Sequence, residues 1–150
     1  MKLQQKTFQN LTALELYKIL QLRSAVFVVE QNCVYQDIDN KDLSATHLWL
    51  QHDDNIAAYV RLLPAGVSYK NAAIGRVIVA EKYRRQGLAE RIMQEAIAVI
   101  EQQWQQDCIQ LQAQTYLQKF YTELGFLPAS EPYLEDGIPH IDMMYRRKPQ

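Results

Sequence analysis

The sequence has no long hydrophobic run. No apolar stretch approaches the ~20 residues that span a bilayer, and the N-terminus, Met1-Lys-Leu-Gln-Gln-Lys6, lacks an apolar signal region. The expectation is a soluble, cytoplasmic protein with no membrane partner. An excess of one charge is missing too: 16 basic side chains face 17 acidic ones. That balance excludes a general affinity for nucleic acid or anionic surfaces, so any anion site must be local. Cysteine is scarce. Cys33 and Cys108 stand alone, far apart, which excludes a disulfide scaffold and a zinc cluster, and no metal is expected. Glycine is sparse as well, at 5 residues. Neither the P-loop pattern G-x-x-x-x-G-K-[ST] nor the dinucleotide fingerprint G-x-G-x-x-G occurs.

What is present fits one domain over residues 1–150, with 48% hydrophobic residues. Residues 2–8 read as a weak first strand. Thr12-Ala-Leu-Glu15 forms a capping box, and Leu16, Ile19, Leu20, Arg23, Val26, Phe27 and Glu30 follow one helical stripe toward Gln31. Arg23 and Glu30 interrupt that stripe, either as snorkelling charges at a helix edge or as the start of a pocket. Residues 32–44 carry Asp37, Asp39 and Asp42 without the glycine and distal glutamate of a calcium loop. They read as a solvated loop or as a lid that presents carboxylates to a cationic substrate.

His47–Gln51 and Ile56–Leu63 alternate as strands around the turn Asp53-Asp54-Asn55. Ala72–Val79 completes a three-strand meander, with Gly75 marking a bulge or a close approach to the backbone. After Val79 comes the basic turn Arg84-Arg85-Gln86-Gly87-Leu88-Ala89. It opens an amphipathic helix that runs to about residue 104. A strand, a glycine-bearing turn and a helix N-terminus hold phosphate well, because the first helical amides lack internal partners and the dipole is positive there. Ile109–Gln114 is the next strand. A short helix bearing Leu117, Phe120, Tyr121 and Leu124 ends at Gly125, and a hairpin of 126–134 and 140–146 turns at Asp136-Gly137. The class is α+β, with a central, mixed but mostly antiparallel sheet and helices on both faces.

Arg84-x-x-Gly87-x-Ala89 resembles the acyl-CoA-binding motif of the GNAT N-acetyltransferases, and the order of elements resembles that three-layer fold over nearly the whole chain. Gln114–Phe126 is similar to the family's second motif, with Gln114 at the usual Asn position; Glu81 replaces a common proline. The stretches Arg23–Gln31, Tyr35–Asp39 and Glu135–Ile141 resemble the small ElaA-type branch. The resemblance implies acetyl-CoA as cosubstrate. Backbone groups of Val77, Ile78 and Val79 would pair with pantetheine, and amides from Arg85 through Gln86, Gly87, Leu88 and Ala89 to Glu90 would take the pyrophosphate. Arg84 and Arg85 would add positive charge, and Gln114 and Tyr121 would lie near the sulfur.

Direct transfer to an amine needs a proton acceptor, donors for the developing oxyanion and an acid for the thiolate. Tyr121 is the candidate acid. His140 and Glu30 are the candidate bases, beside a water-relayed proton. Glu30, Asp37, Asp39 and Asp142 are candidates to neutralise a cationic acceptor, a small molecule or peptide. Two competing readings are a non-catalytic acyl-CoA sensor and an acyl-homoserine-lactone-synthase-like enzyme, which shares an Arg-x-x-Val-Phe helix. The sequence admits a homodimer and leaves the acceptor open.

Overall fold

The structure is a computed structural model in which residues 1–149 are described. Eight strands form one sheet: β1 (Lys2–Thr7), β2 (Thr46–His52), β3 (Asn55–Leu63), β4 (Ala72–Val79), β5 (Cys108–Gln114), β6 (Phe126–Pro128), β7 (Tyr133–Glu135) and β8 (Ile138–Arg146). Three α-helices accompany it: α1 (Ala13–Arg23), α2 (Leu88–Ala98) and α3 (Gln118–Glu123). The strand order is β1-β2-β3-β4-β5-β8-β6, with β7 pairing the far end of β8. All pairs are antiparallel except β4 with β5.

The capping box forms as its sequence dictates. Thr12 Oγ1 accepts from the Glu15 amide at 3.1 Å, and Glu15 Oε1 accepts from the Thr12 amide at 2.8 Å. Past Arg23 the helix widens into π-helical turns over Ser24–Glu30, where Val26-Phe-Val-Val29 places β-branched side chains against the preceding turn. The second long helix ends similarly, in π-helical turns over Val99–Gln103. Helices α1 and α2 cover opposite sheet faces. Ile19 packs with Trp49, Tyr59 and Ile78 on one side, whereas Ile92, Met93 and Ala96 pack with Leu48, Leu50 and Val60 on the other. The period-2 alternation of β2 and β3 divides these residues between the two cores. Gly125 closes α3 with φ +104°, and its amide donates to the Thr122 carbonyl at 3.0 Å.

Two features differ from the sequence reading. The first arm of the final hairpin is two strands, β6 and β7, because the chain leaves the ladder over residues 130–132, after a last bond from the Ala129 amide to the Asp142 carbonyl at 2.8 Å; seven strands were expected and eight form among the described residues. The Gly75 bulge is real, but the residue that bends is its neighbour. Arg61 pairs with Gly75 and Tyr59 with Ile78, so β4 carries one extra residue, and Arg76 takes φ +54°.

The parallel contact positions the site. β4 and β5 pair only at Ala72–Ile109 and Ala73–Gln110, after which the strands part. The edge of β4 from Ile74 to Val79 therefore faces open space instead of a neighbouring strand.

Candidate functional site

The parted strands open a cleft of about 960 Å³. The β4 edge from Ile74 to Val79 forms one wall, and Leu111, Gln112 and Gln114 of β5 form the other. The basic turn closes one end with Arg84, Arg85, Gly87, Leu88, Ala89 and Glu90. Val26, Phe27, Glu30, Tyr35, Gln36, Asp39, Glu135, Asp136 and His140 line the other approaches, and Phe120 and Tyr121 reach in from α3.

The turn is shaped for an anion. Arg85 and Gly87 both take left-handed backbone, with φ +66° and +73°. Such a turn running into a helix gathers amide N–H groups in one concavity. The first α2 hydrogen bond runs from the Arg91 amide to the Gly87 carbonyl at 3.2 Å, so the preceding amides of Leu88, Ala89 and Glu90 lack an intrahelical acceptor. A Cβ on Gly87 would meet nothing within 4 Å. The space over the turn is thus free for a ligand, and the residues present fit a pyrophosphate.

Arg84 is more constrained than a rim charge. Its Nη1 and Nη2 meet Glu30 Oε1 and Oε2 at 2.7 and 2.8 Å, and its Nε donates to the Val79 carbonyl at 3.1 Å. This revises the role expected of Glu30. The Arg84 guanidinium holds the Glu30 carboxyl below its ordinary range, and a carboxylate engaged at both oxygens is a poor proton acceptor.

The acidic lid is also revised. Asp37 Oδ2 accepts from Arg23 Nε at 2.9 Å, and Asp37 Oδ1 from Arg76 Nε at 2.8 Å. Asp39 takes a fork from Arg61 at 2.8 and 2.9 Å. Asp42 Oδ1 accepts from Arg23 Nη1 at 2.6 Å and from Arg61 Nη1 at 3.1 Å. Burial pushes Asp39 and Asp42 up, but the arginines more than reverse it and leave both below the usual carboxylate range. Asp37 and Asp39 are therefore not free to meet a cationic acceptor. Asp142, likewise expected there, accepts the Tyr133 hydroxyl. Arg23 neither snorkels nor opens a pocket: it is fully buried in this cluster.

Tyr121 is nearly buried and packs edge-on against Phe120 at 5.1 Å and Phe126 at 6.1 Å. Burial, aided by Tyr116, pushes its phenol up to about 12, so the hydroxyl stays protonated at neutral pH. Gln114 ends β5 opposite His140 of β8, and its Nε2 donates to Gln31 Oε1 at 3.3 Å. The His140 ring lies near-parallel to Tyr133, 6.4 Å between centroids. Its Nδ1 is 2.7 Å from the Ile138 carbonyl. That carbonyl can only accept, so Nδ1 carries a hydrogen and Nε2 is the ring nitrogen left without a protein partner among the described residues.

Sequence reasoning missed Gln31, Cys33 and Tyr116 as cleft residues, and it did not foresee Arg61 or Arg76 as anchors of the acidic loop. The available signal was a charge inside an apolar strand, Tyr59-Val-Arg61-Leu-Leu63.

A bulged β4, its parallel neighbour splaying away and a glycine turn at the next helix together frame a cleft with an anion-binding end. A family model described as an acetyltransferase (GNAT) domain matches residues 11–147, and the chain belongs to the GNAT acetyltransferase family. It is 44% identical over 136 residues to protein ElaA of Escherichia coli (strain K12), covering 89% of each chain. The crystal structure of Escherichia coli ElaA superposes with a TM-score of 0.91 at 40% identity, covering 97% of this chain and 100% of that one. An acyl-CoA N-acyltransferase from Pseudomonas aeruginosa gives 0.91 at 39% identity, over 97% and 99%. A GNAT family acetyltransferase from Elizabethkingia anophelis, solved with acetyl-CoA bound, shares the fold with a TM-score of 0.65 at 15% identity, over 97% of each chain.

Proposed function

We propose that the protein is an N-acetyltransferase that moves the acetyl group of acetyl-CoA directly to the amine of a small or peptidic acceptor. The observation that carries this reading is the unpaired edge of β4, which runs from Ile74 to Val79 and leads into the Gly87 turn. An extended pantetheine arm can add to that edge as a strand would. The turn amides from Arg85 to Glu90 then receive the pyrophosphate.

Acetyl-CoA supplies an activated acetyl group as a thioester. A backbone N–H near Val79 polarises the thioester carbonyl where charge develops. His140 Nε2 takes a proton from the acceptor ammonium, directly or through one water, which frees the nitrogen lone pair to form the C–N bond. As the C–S bond breaks, Tyr121 gives its phenolic proton to the departing thiolate, and the second proton shed by the newly acylated nitrogen returns to the Tyr121 phenolate through water, leaving amide, free thiol and one proton on His140. Gln114 offers an amide beside these groups. The cation of the acceptor meets Glu135 and Asp136 at the β7–β8 turn, carboxylates in no ion pair among the described residues.

The test is acetyl-CoA-dependent thiol release against a panel of primary amines, with the acetylated product identified by mass. Release matched one-to-one by acetylated amine supports the reading. Acetyl-CoA binding without release across the panel overturns it in favour of a sensor, and lactone formation from S-adenosylmethionine and acyl carrier protein overturns it in favour of the synthase.

A further inference from the structure

Residues 34–39 enter no backbone–backbone hydrogen bond among the described residues. Arginines hold this segment instead. The Asp37 carbonyl accepts from Arg23 Nη2 at 2.9 Å and from Arg76 Nη2 at 3.1 Å, in addition to the side-chain contacts above. Arg76 Nη2 also reaches Asp39 Oδ2 at 3.3 Å, and its guanidinium lies 5.5 Å from the Tyr35 ring centroid. The Tyr35 hydroxyl completes the unit by donating to Asp37 Oδ1 at 2.7 Å.

Stability is a weak explanation for this cluster. Desolvating so many charges is expensive even when they are paired, and Asp42 Oδ2 and Arg61 Nε are buried without a hydrogen-bond partner. Arg76 also holds a left-handed backbone, φ +54°, which disfavours any residue with a Cβ. The arrangement does fix geometry. Arg76 projects from β4, the strand whose free edge lines the cleft, and clamps the segment that carries Tyr35 and Gln36 into the same cleft.

We infer that Arg76 is a positioning residue for the acceptor: it sets the wall formed by Tyr35 and Gln36 at a fixed distance from the cofactor strand. The inference rests on the proposed transfer reaction and extends it to acceptor selection. The aspartates behind this wall are neutralised by arginine, the Tyr35 hydroxyl is spent on Asp37, and Gln36 Nε2 donates to the Ile38 carbonyl at 3.0 Å, so what the wall offers a ligand is the ring of Tyr35 and the amide oxygen of Gln36. The wall reads the body of the acceptor by stacking and hydrogen bonding, and the acceptor's charge is left to the opposite hairpin. The matching acceptor is an amine attached to a planar or amide-bearing body rather than a bare polyamine.

The experiment uses the full chain with spermidine, lysine amide and phenethylamine as acceptors. Wild type, Arg76→Ala, Arg76→Lys and Gln36→Ala are compared for acceptor KM and kcat, and for acetyl-CoA Kd by calorimetry. Wild type should prefer lysine amide or phenethylamine to spermidine. Arg76→Ala should raise the acceptor KM about tenfold while acetyl-CoA Kd moves less than about twofold. Arg76→Lys keeps the charge without the fork and should recover only part of the loss. Gln36→Ala should raise KM about threefold with an unchanged Tm. If wild type transfers acetyl but Arg76→Ala keeps its KM, loses acceptor and cofactor binding together, or spermidine is preferred, the inference falls alone. If wild type binds acetyl-CoA but acetylates none of the three, the inference falls; if the full amine panel also gives no release, the proposed function falls with it.

Discussion

Arg84 and Glu30 form a two-point ion pair across the cleft mouth, at 2.7 and 2.8 Å, while the same guanidinium caps the Val79 carbonyl. One side chain thereby joins the π-helical end of the first helix, the last residue of β4 and the phosphate turn. In the proposed reaction Glu30 is assigned the task of holding Arg84 rather than that of accepting a proton. Glu30→Gln should therefore raise the acetyl-CoA KM roughly threefold, the scale of a solvent-exposed pair, and leave kcat and its pH profile in place. Steady-state kinetics across pH check this. Loss of the acidic limb of kcat in the variant would restore Glu30 as the base.

Tyr121 should behave as an acid that never runs short of its proton in the neutral range. With the phenol at about 12, no basic limb below about pH 11 arises from it. Tyr121→Phe keeps the contacts with Phe120 and Phe126 but removes the proton, so kcat should fall about 100-fold with acetyl-CoA affinity nearly unchanged. Single-turnover rates and calorimetry measure the two parts. Undiminished turnover would remove Tyr121 from the reaction.

Gly87 should matter for its backbone. Its φ of +73° lies where a Cβ is disfavoured, yet that Cβ would touch no protein atom. Gly87→Ala should destabilise the fold by about 1 kcal/mol and weaken acetyl-CoA binding further than that change implies, because the added methyl stands over the anion site. Urea unfolding and calorimetry separate the two effects; unaltered affinity would move the pyrophosphate elsewhere.

Stability should fall with acid in two stages. Burial holds His47 below its ordinary 6.5, its Nδ1 2.7 Å from the Tyr59 hydroxyl and its Nε2 3.1 Å from the Asp42 carbonyl. The unfolded chain takes up that proton first, so stability falls as pH drops through about 6.5. Asp39 and Asp42 lie below their ordinary 3.8 when folded. Their contribution is full above about pH 4 and is lost as pH falls through the folded values. Urea unfolding from pH 8 to 3 should show both stages, and His47→Gln should abolish the upper one. A single transition shared by both proteins would contradict this assignment.

The parts legible in the sequence were those encoded locally. The Thr12–Glu15 box, the alternation of β2 and β3, and the strand–turn–helix at Val79–Leu88 each depend on residues within a few positions of one another. The Arg–Asp cluster was not legible, because Arg23, Arg61 and Arg76 reach aspartates between 14 and 39 residues away. Nothing local separates such a carboxylate from a solvated one. The split of the last hairpin was hidden for a related reason: the pairing of β6 and β7 is set by the long β8, and neither short strand declares its own limits.

The central claim is that acetyl-CoA lies along the free edge of β4 with its pyrophosphate on the Gly87 turn. Titrating ¹⁵N-labelled protein with acetyl-CoA and following backbone amide shifts tests it most directly. The account predicts that the largest changes fall on residues 74–79 and 85–90, with the amides of β1 nearly still. Saturable shifts that cluster elsewhere, or none at millimolar acetyl-CoA, would contradict it.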